Sequence, residues 1–150
     1  MGIAKSNKGL CRVYFPEEAP FDSALKRDFP DFLFVKDDTS CTDIKKQIEE
    51  YFSGKRTSFE LELDLQCPPF YKKALKEVNK IPFGKTVSYR DIAERAGNSK
   101  AVRATGSANA NNPLPIVIPC HRILNTGGGL GGYGGNLERK VYLLELEGSI

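Results

Sequence analysis

Apolar and polar positions alternate along LCRVYF (10–15), with Cys11, Val13 and Phe15 on one face and Arg12 and Tyr14 on the other, which predicts a half-buried strand. DFLFVK (31–36) reads as a second strand. FELELDL (59–65) alternates again and predicts a return to a small antiparallel sheet. Between them SCTDIKKQIEEYFSG (40–54) has helical spacing, with Ser40 and Asp43 set as a capping box, Ile44 and Ile48 facing inward and Gly54 at the end.

Beyond CPP (67–69), which reads as a link, the period lengthens. FYKKALKEVNKI brings Phe70, Ala74, Leu75 and Val78 to one side of a helix that PFGK stops. SYRDIAERAG (88–97) opens on a capping serine and closes on Gly97, and KAVRATGSANA (100–110) forms the next helix after a short turn. NNPLP breaks it, and the apolar run PIVIPCHRIL (115–124) has the look of a buried strand. A glycine-rich loop, NTGGGLGGYGGN (125–136), leads to a last helix, LERKVYLLELE (137–147), closed by Gly148. The pattern predicts an α+β protein in two parts: residues 1–66 with a small antiparallel sheet, and a mainly helical 67–150 containing a helix-turn-helix.

At 150 residues the chain has enough apolar side chains for a real core, with no stretch long and apolar enough to cross a membrane and no signal-peptide pattern. The expectation is a soluble cytoplasmic protein, or a nuclear one in a eukaryote. The four cysteines form no C-x-x-C pair and there is one histidine, so free thiols and no metal site are expected. Charge divides unevenly: residues 1–66 hold 10 Lys/Arg and 13 Asp/Glu, residues 67–150 hold 12 and 6. The basic second part is the one suited to a polyanion.

Chemistry gathers there. The helix at 100–110 is almost stripped of bulk by Ala104, Thr105, Gly106, Ser107 and Ala108, with Arg103 as its one long side chain. Such a helix can approach a nucleic-acid backbone closely and fit a narrow groove. Gly106 costs about 1 kcal/mol inside a helix, which a close contact would offset. The only histidine, His121, follows Cys120. An imidazole and a cation such as Arg122 lower a thiol pKa, and a thiolate is a nucleophile. Neighbours on a strand point apart, so either the chain turns at Pro119 or a water links the two groups. A carboxylate is wanted behind the imidazole, and the last helix offers Glu145 and Glu147. Glu147 stands out because an anion in a final turn opposes the helix dipole. Cys41, at a helix start, is a competing reactive thiol. GLGGYG (129–134) matches a dinucleotide fingerprint but lacks a βαβ setting, and Tyr133 among glycines suits a pocket wall instead.

IPCHRI, with NNPLPIV before it and GGLGGYGG after it, resembles the active-site region of the O6-alkylguanine-DNA alkyltransferases (methylated-DNA–protein-cysteine methyltransferases). The likeness extends over about 70–148 through IPFGKTVSYRDIAERAG, KAVRATGSA and LLELEG, while 1–66 is similar in outline to that family's ribonuclease-H-like lobe. It implies a winged-helix-like second lobe and a monomer that repairs alkylated bases in double-stranded DNA without a cofactor. Cys120 would accept the alkyl group once, with His121 as its base through a bridging water and Glu147 orienting that base. Asn112 would brace the turn. Tyr89 would press on the phosphate and contact the flipped base, and Arg103 would fill the gap, with Ala104, Thr105, Ser107 and Ala108 along the groove. Pro115, Tyr133, Gly134 and Lys140 would surround the base, and the carbonyls of Cys120 and Ile123 would receive its amine. Gly134 stands where many relatives have serine, so only a backbone contact is implied there.

Overall fold

The computed structural model describes residues 1–17, 20–134 and 136–150; Gly135 of the glycine-rich loop lies outside them. The chain opens as a hairpin, β1 (Gly2–Ser6) and β2 (Gly9–Tyr14), antiparallel with Ile3 opposite Val13 and Lys5 opposite Leu10. A bulge leaves Cys11 without an opposite residue. Val13 is buried as the alternation predicts, but Tyr14 on the other face is buried too. The reason is α1 (Phe21–Asp28), which covers that face: Phe21 meets the Tyr14 ring at 5.5 Å, and the Tyr14 hydroxyl donates to Asp28 at 2.9 Å.

Of the three strands expected in the first half, two dissolve. Residues 31–36 join no sheet, and Leu33 is 100% exposed. A strand needs a neighbour for its N–H and C=O groups, and none lies beside this one among the described residues. Phe32 and Phe34 instead flank Phe29 edge-on. Residues 59–65 make one parallel bridge, Leu63 beside Leu10, with Leu10 N–H donating to Glu62 and Asp64 N–H to Leu10. Further along β2 the Val13 N–H goes to Pro113 of the second half, which leaves no ladder to extend.

Helix α2 (Thr42–Phe52) turns Ile44, Ile48 and Tyr51 inward. The capping box expected at Ser40 and Asp43 does not form, because Asp37 accepts from the N–H groups of Thr39 and Ser40 and the Ser40 hydroxyl donates to the Asp37 carbonyl. The second half holds α3 (Pro69–Val78), β3 (Val87–Ser88), α4 (Tyr89–Arg95), α5 (Val102–Ala110), β4 (Ile123–Leu124) and α6 (Leu137–Leu146). The capping box of α4 is complete, with Ser88 accepting from Asp91 N–H and Asp91 accepting from Ser88 N–H. Strands β3 and β4 pair in parallel, Val87 with Ile123 and Ser88 with Leu124.

The run 115–124 is buried as its composition predicts, yet it is a strand only at its last two residues. Pro115 and Pro119 lack an N–H, so a ladder fails there. The chain turns through Ile116 at φ +74 and winds into a 3₁₀ turn at Cys120–Arg122. One apolar core runs through both halves, with Leu10, Val13, Ile44 and Ile48 packed against Leu75, Val78, Ile92, Ile118 and Ile123. The fold is α+β, as the sequence pattern predicts.

Gly9 lets the hairpin pack closely on the backbone at 62–63. Its φ is +147, and a Cβ there would fall 2.4 Å from the Glu62 carbonyl oxygen. Gly9→Ala therefore forces the 62–64 stretch off β2 and is expected to cost about 2 kcal/mol or more in urea unfolding. A loss under about 0.5 kcal/mol would show that the bridge contributes little to stability.

Candidate active site

The site is built by three elements that meet at one cleft of about 900 Å³. Helices α4 and α5 form the helix-turn-helix. The outward side of α5 contributes Val102, Arg103, Gly106, Asn109 and Ala110 to the cleft, and the glycine loop contributes Gly132, Tyr133 and Gly134. Cys120 and Pro115 line it from the turn-rich run, beside Asn112 and Tyr89. Arg103 is exposed.

The small residues of α5 divide between two faces. Ser107 is exposed and Ala104 half-buried, whereas Thr105 and Ala108 are each 1% exposed and turn into the core, where Thr105 donates to the Ala101 carbonyl. Helical periodicity decides this, since positions three and four apart share a side. Thr105 and Ala108 therefore offer no side chain to a groove. Among the described residues outside its own helix, nothing lies within 4 Å of where a Cβ on Gly106 would sit, so the protein supplies no close packing there to offset its cost.

Cys120 is 4% exposed. Burial pushes its pKa up, while the polar side chains of Asn112 and Tyr133 and the charge of Lys140 act against that rise. The expected cation, Arg122, is engaged elsewhere. Its Nε and Nη2 donate to the two Glu147 oxygens at 2.8 Å each, and Nη1 donates to the Ile81 carbonyl. Lys140, completely buried, is the cation near the thiol. It is pushed down to about 8 by burial, with Cys120 opposing the shift. Its Nζ donates to the carbonyls of Ile123, at 2.6 Å, and Leu130, so it ties the active-site turn to the glycine loop from behind. Neither Lys140 nor Ile123 lines the cleft itself.

Behind the thiol sits a second layer. The 3₁₀ turn replaces strand geometry, so consecutive side chains no longer point apart. His121 is fully buried, and its Nε2 lies 2.8 Å from Glu147 Oε1. With Glu147 ionised, Nε2 carries the hydrogen, and Nδ1 is left as an acceptor with no partner among the described residues. Burial lowers the His121 pKa, Glu147 pulls it up, and Arg122 and Lys140 push it down. Burial would raise Glu147, but hydrogen bonds from His121, Arg122 and Tyr51 outweigh it and hold the carboxyl well below its usual range. Those donors also answer the anomaly of an anion at the C-terminal end of α6.

Asn112 braces the turn, its amide donating to the Ile118 carbonyl at 2.9 Å and its oxygen accepting from Leu114 N–H. Asn109, which the sequence reading passed over, donates to the Cys120 carbonyl at 3.1 Å. Of the carbonyls expected to receive a base amine, that of Cys120 already accepts from Asn109 and from the Ile123 N–H, and that of Ile123 accepts from Lys140. Tyr89 is half-buried, with its ring against Gly131 (φ +67), where a Cβ would come within 3.2 Å of Cε2. The rim adds residues that no motif pointed to. Arg139 stacks 3.6 Å over the Phe15 ring and pairs with Glu17 at 2.8 Å. Cys41 is absent from the cleft lining.

A helix-turn-helix whose exposed face opens on the same cleft as a buried thiol, with a histidine–carboxylate pair behind that thiol, sets the class of fold and site to be compared with known proteins. The chain belongs to the methylated-DNA–protein-cysteine methyltransferase family. Residues 69–149 match the family model described as 6-O-methylguanine DNA methyltransferase, DNA binding domain, and residues 1–65 match its ribonuclease-like domain. A methylated-DNA–protein-cysteine methyltransferase of Methanosarcina acetivorans is 40% identical over 147 residues, 98% of this chain and 90% of that one. One from Mycolicibacterium paratuberculosis is 47% identical over 102 residues, 68% of this chain, and the chain spans 62% of that relative's length. Among solved structures, Mycobacterium tuberculosis OGT in complex with DNA aligns with a TM-score of 0.84 at 35% identity, covering 98% of this chain and 85% of that one.

Proposed function

We propose that this protein repairs DNA by direct reversal, taking the alkyl group of O6-alkylguanine in duplex DNA onto Cys120 once and irreversibly, with O4-alkylthymine as a second candidate substrate. The observation that carries the reading is the thiol at the foot of a cleft whose other wall is the exposed side of α5. Residues 67–150 form the DNA-binding and transfer part, and 1–66 the supporting lobe. Nothing in the chemistry calls for a cofactor, and the partner is double-stranded DNA.

The alkylated oxygen is buried in the base stack, so the nucleotide must be turned out, at a cost of a few kcal/mol. The slim outer side of α5 suits the minor groove, and the basic second half suits phosphates without asking for a sequence. Arg103 occupies the vacated stack. Tyr89 bears on the backbone and the extruded base, while Pro115, Tyr133 and Gly134 wall the base in. The Cys120 proton passes to His121 Nδ1 through a bridging water, and the resulting imidazolium is held by Glu147. The sulfur then attacks the alkyl carbon in line. The C–S bond forms as the C–O bond breaks, and the electron pair returns to the base, which Tyr89 is placed to protonate. The thioether stays on the protein.

The covalent test is the appearance of the alkyl group on Cys120. Flipping has its own. Arg103→Ala is expected to slow transfer from duplex DNA by about tenfold or more, the equivalent of about 1.4 kcal/mol, while reaction with a free O6-alkylguanine base keeps its rate. Equal losses on both substrates would remove Arg103 from the flipping step.

A further inference from the structure

Glu147 accepts a hydrogen bond from the other half of the chain. Tyr51, in the last turn of α2, is fully buried, and its hydroxyl donates to Glu147 Oε1 at 2.6 Å. The same oxygen receives His121 Nε2 and Arg122 Nη2, while Oε2 receives Arg122 Nε and the Gly84 N–H. Three donors on one oxygen exceed its two lone pairs, so Tyr51 and His121 compete for it. The Tyr51 ring is held edge-on by Phe52 and Phe83 at 5.3 and 6.2 Å and tilted against Phe59 at 5.6 Å. It belongs to the apolar cluster that contains Cys120 and Tyr133.

We propose that Tyr51 is a positioning residue for the transfer reaction: its hydroxyl fixes the Glu147 carboxylate behind His121 and takes up part of its negative charge, which keeps the imidazole neutral and able to accept the thiol proton. The first lobe thereby takes part in the chemistry of the second. The kinetic side of this inference rests on the transfer reading above, and the effect on His121 does not.

His121 is faced by Glu147 and Lys140 from α6 and its end, by Arg122 and Cys120 from its own turn, and through Glu147 by Tyr51 from α2. Tyr142 of α6 acts weakly on Tyr51. Of these, Glu147 alone raises the proton affinity of the imidazole, while burial, Arg122 and Lys140 lower it. A donor on the same carboxylate oxygen weakens that one upward pull. Burial and the Glu147 contact push the Tyr51 phenol far up, so it remains a donor throughout the working pH range.

The chain has a single histidine, so heteronuclear NMR of the untagged protein reads His121 without ambiguity. Tyr51→Phe keeps the ring and removes only the hydroxyl. The imidazole of this variant is expected to titrate about one pH unit higher than in the wild type. The acid limb of single-turnover methyl transfer to Cys120 moves up with it. Phe59→Leu disturbs the same aromatic cluster without removing a donor and leaves the titration at the wild-type pH. A Tyr51→Phe imidazole titrating at or below the wild-type pH overturns the inference, whatever happens to thermal stability. A raised titration in a protein that transfers no alkyl group supports the hydrogen-bond role of Tyr51 and sinks the transfer reading.

Discussion

Mixed with duplex DNA carrying O6-methylguanine, the protein is expected to gain the mass of one methyl group, mapping to Cys120, with the reaction stopping at one equivalent. Cys120→Ala gains nothing under the same conditions. The expectation follows from position: Cys120 is the one cysteine lining the cleft, and the Nδ1 of the adjacent His121 has no partner among the described residues. The other three cysteines, Cys11, Cys41 and Cys67, are also free thiols, so intact mass followed by peptide mapping distinguishes them. The variant should still bind duplex DNA with the salt sensitivity of the wild type, because no Lys or Arg is changed. Methyl transfer in Cys120→Ala, or onto Cys41, would sink the assignment.

Glu147→Gln is expected to damage stability and rate together. The carboxylate is the counter-ion of the buried Arg122 guanidinium and accepts from Tyr51, His121 and Gly84 as well. Removing one partner of such a pair strands the other charge, which costs about 3–5 kcal/mol. Because its folded pKa lies below the ordinary value of 4.5, the Glu147 contribution is present above that pH and is lost as pH falls through the folded value. The stability gap between wild type and variant therefore narrows below about pH 4.5 in pH-dependent urea unfolding. The transfer rate should fall by about a hundredfold or more, since an amide neither stabilises an imidazolium nor fixes its tautomer. A variant of full stability, or one with an undiminished rate, would show that Glu147 is not the hub of this site.

Much of the second half was legible in order along the chain. A helix writes its own period, so α3, α4 and α6 could be read from spacing, and the Ser88–Asp91 cap is a local exchange between residues three apart. Even the odd pair on α6 left a trace, since Lys140, Leu143, Leu144 and Glu147 share one helical face and all four are buried. Two charged residues on a core face are a sign of work to do. The first half was less legible. Strands depend on partners distant in sequence, and the 31–36 and 59–65 stretches carry strand composition without finding a ladder to join. Which small residues of α5 face outward also escaped composition, because Thr105 and Ala108 differ from Ala104 and Ser107 only by their turn around the helix axis.

The sequence by itself determined which candidate groups stand side by side along the chain. Cys120 and His121 are adjacent, the small-residue helix and the glycine loop are contiguous segments, and local rules of period, cap and turn act over a few residues. Only the tertiary structure decided what each of those groups touches. Arg122 turns from the thiol to Glu147, Lys140 takes its place as the nearby cation, and Tyr51 arrives from the other half of the chain. The physical reason is that a buried charge settles wherever enough compensating donors converge. That convergence is fixed by the packing of segments up to 96 positions apart, which no local pattern records.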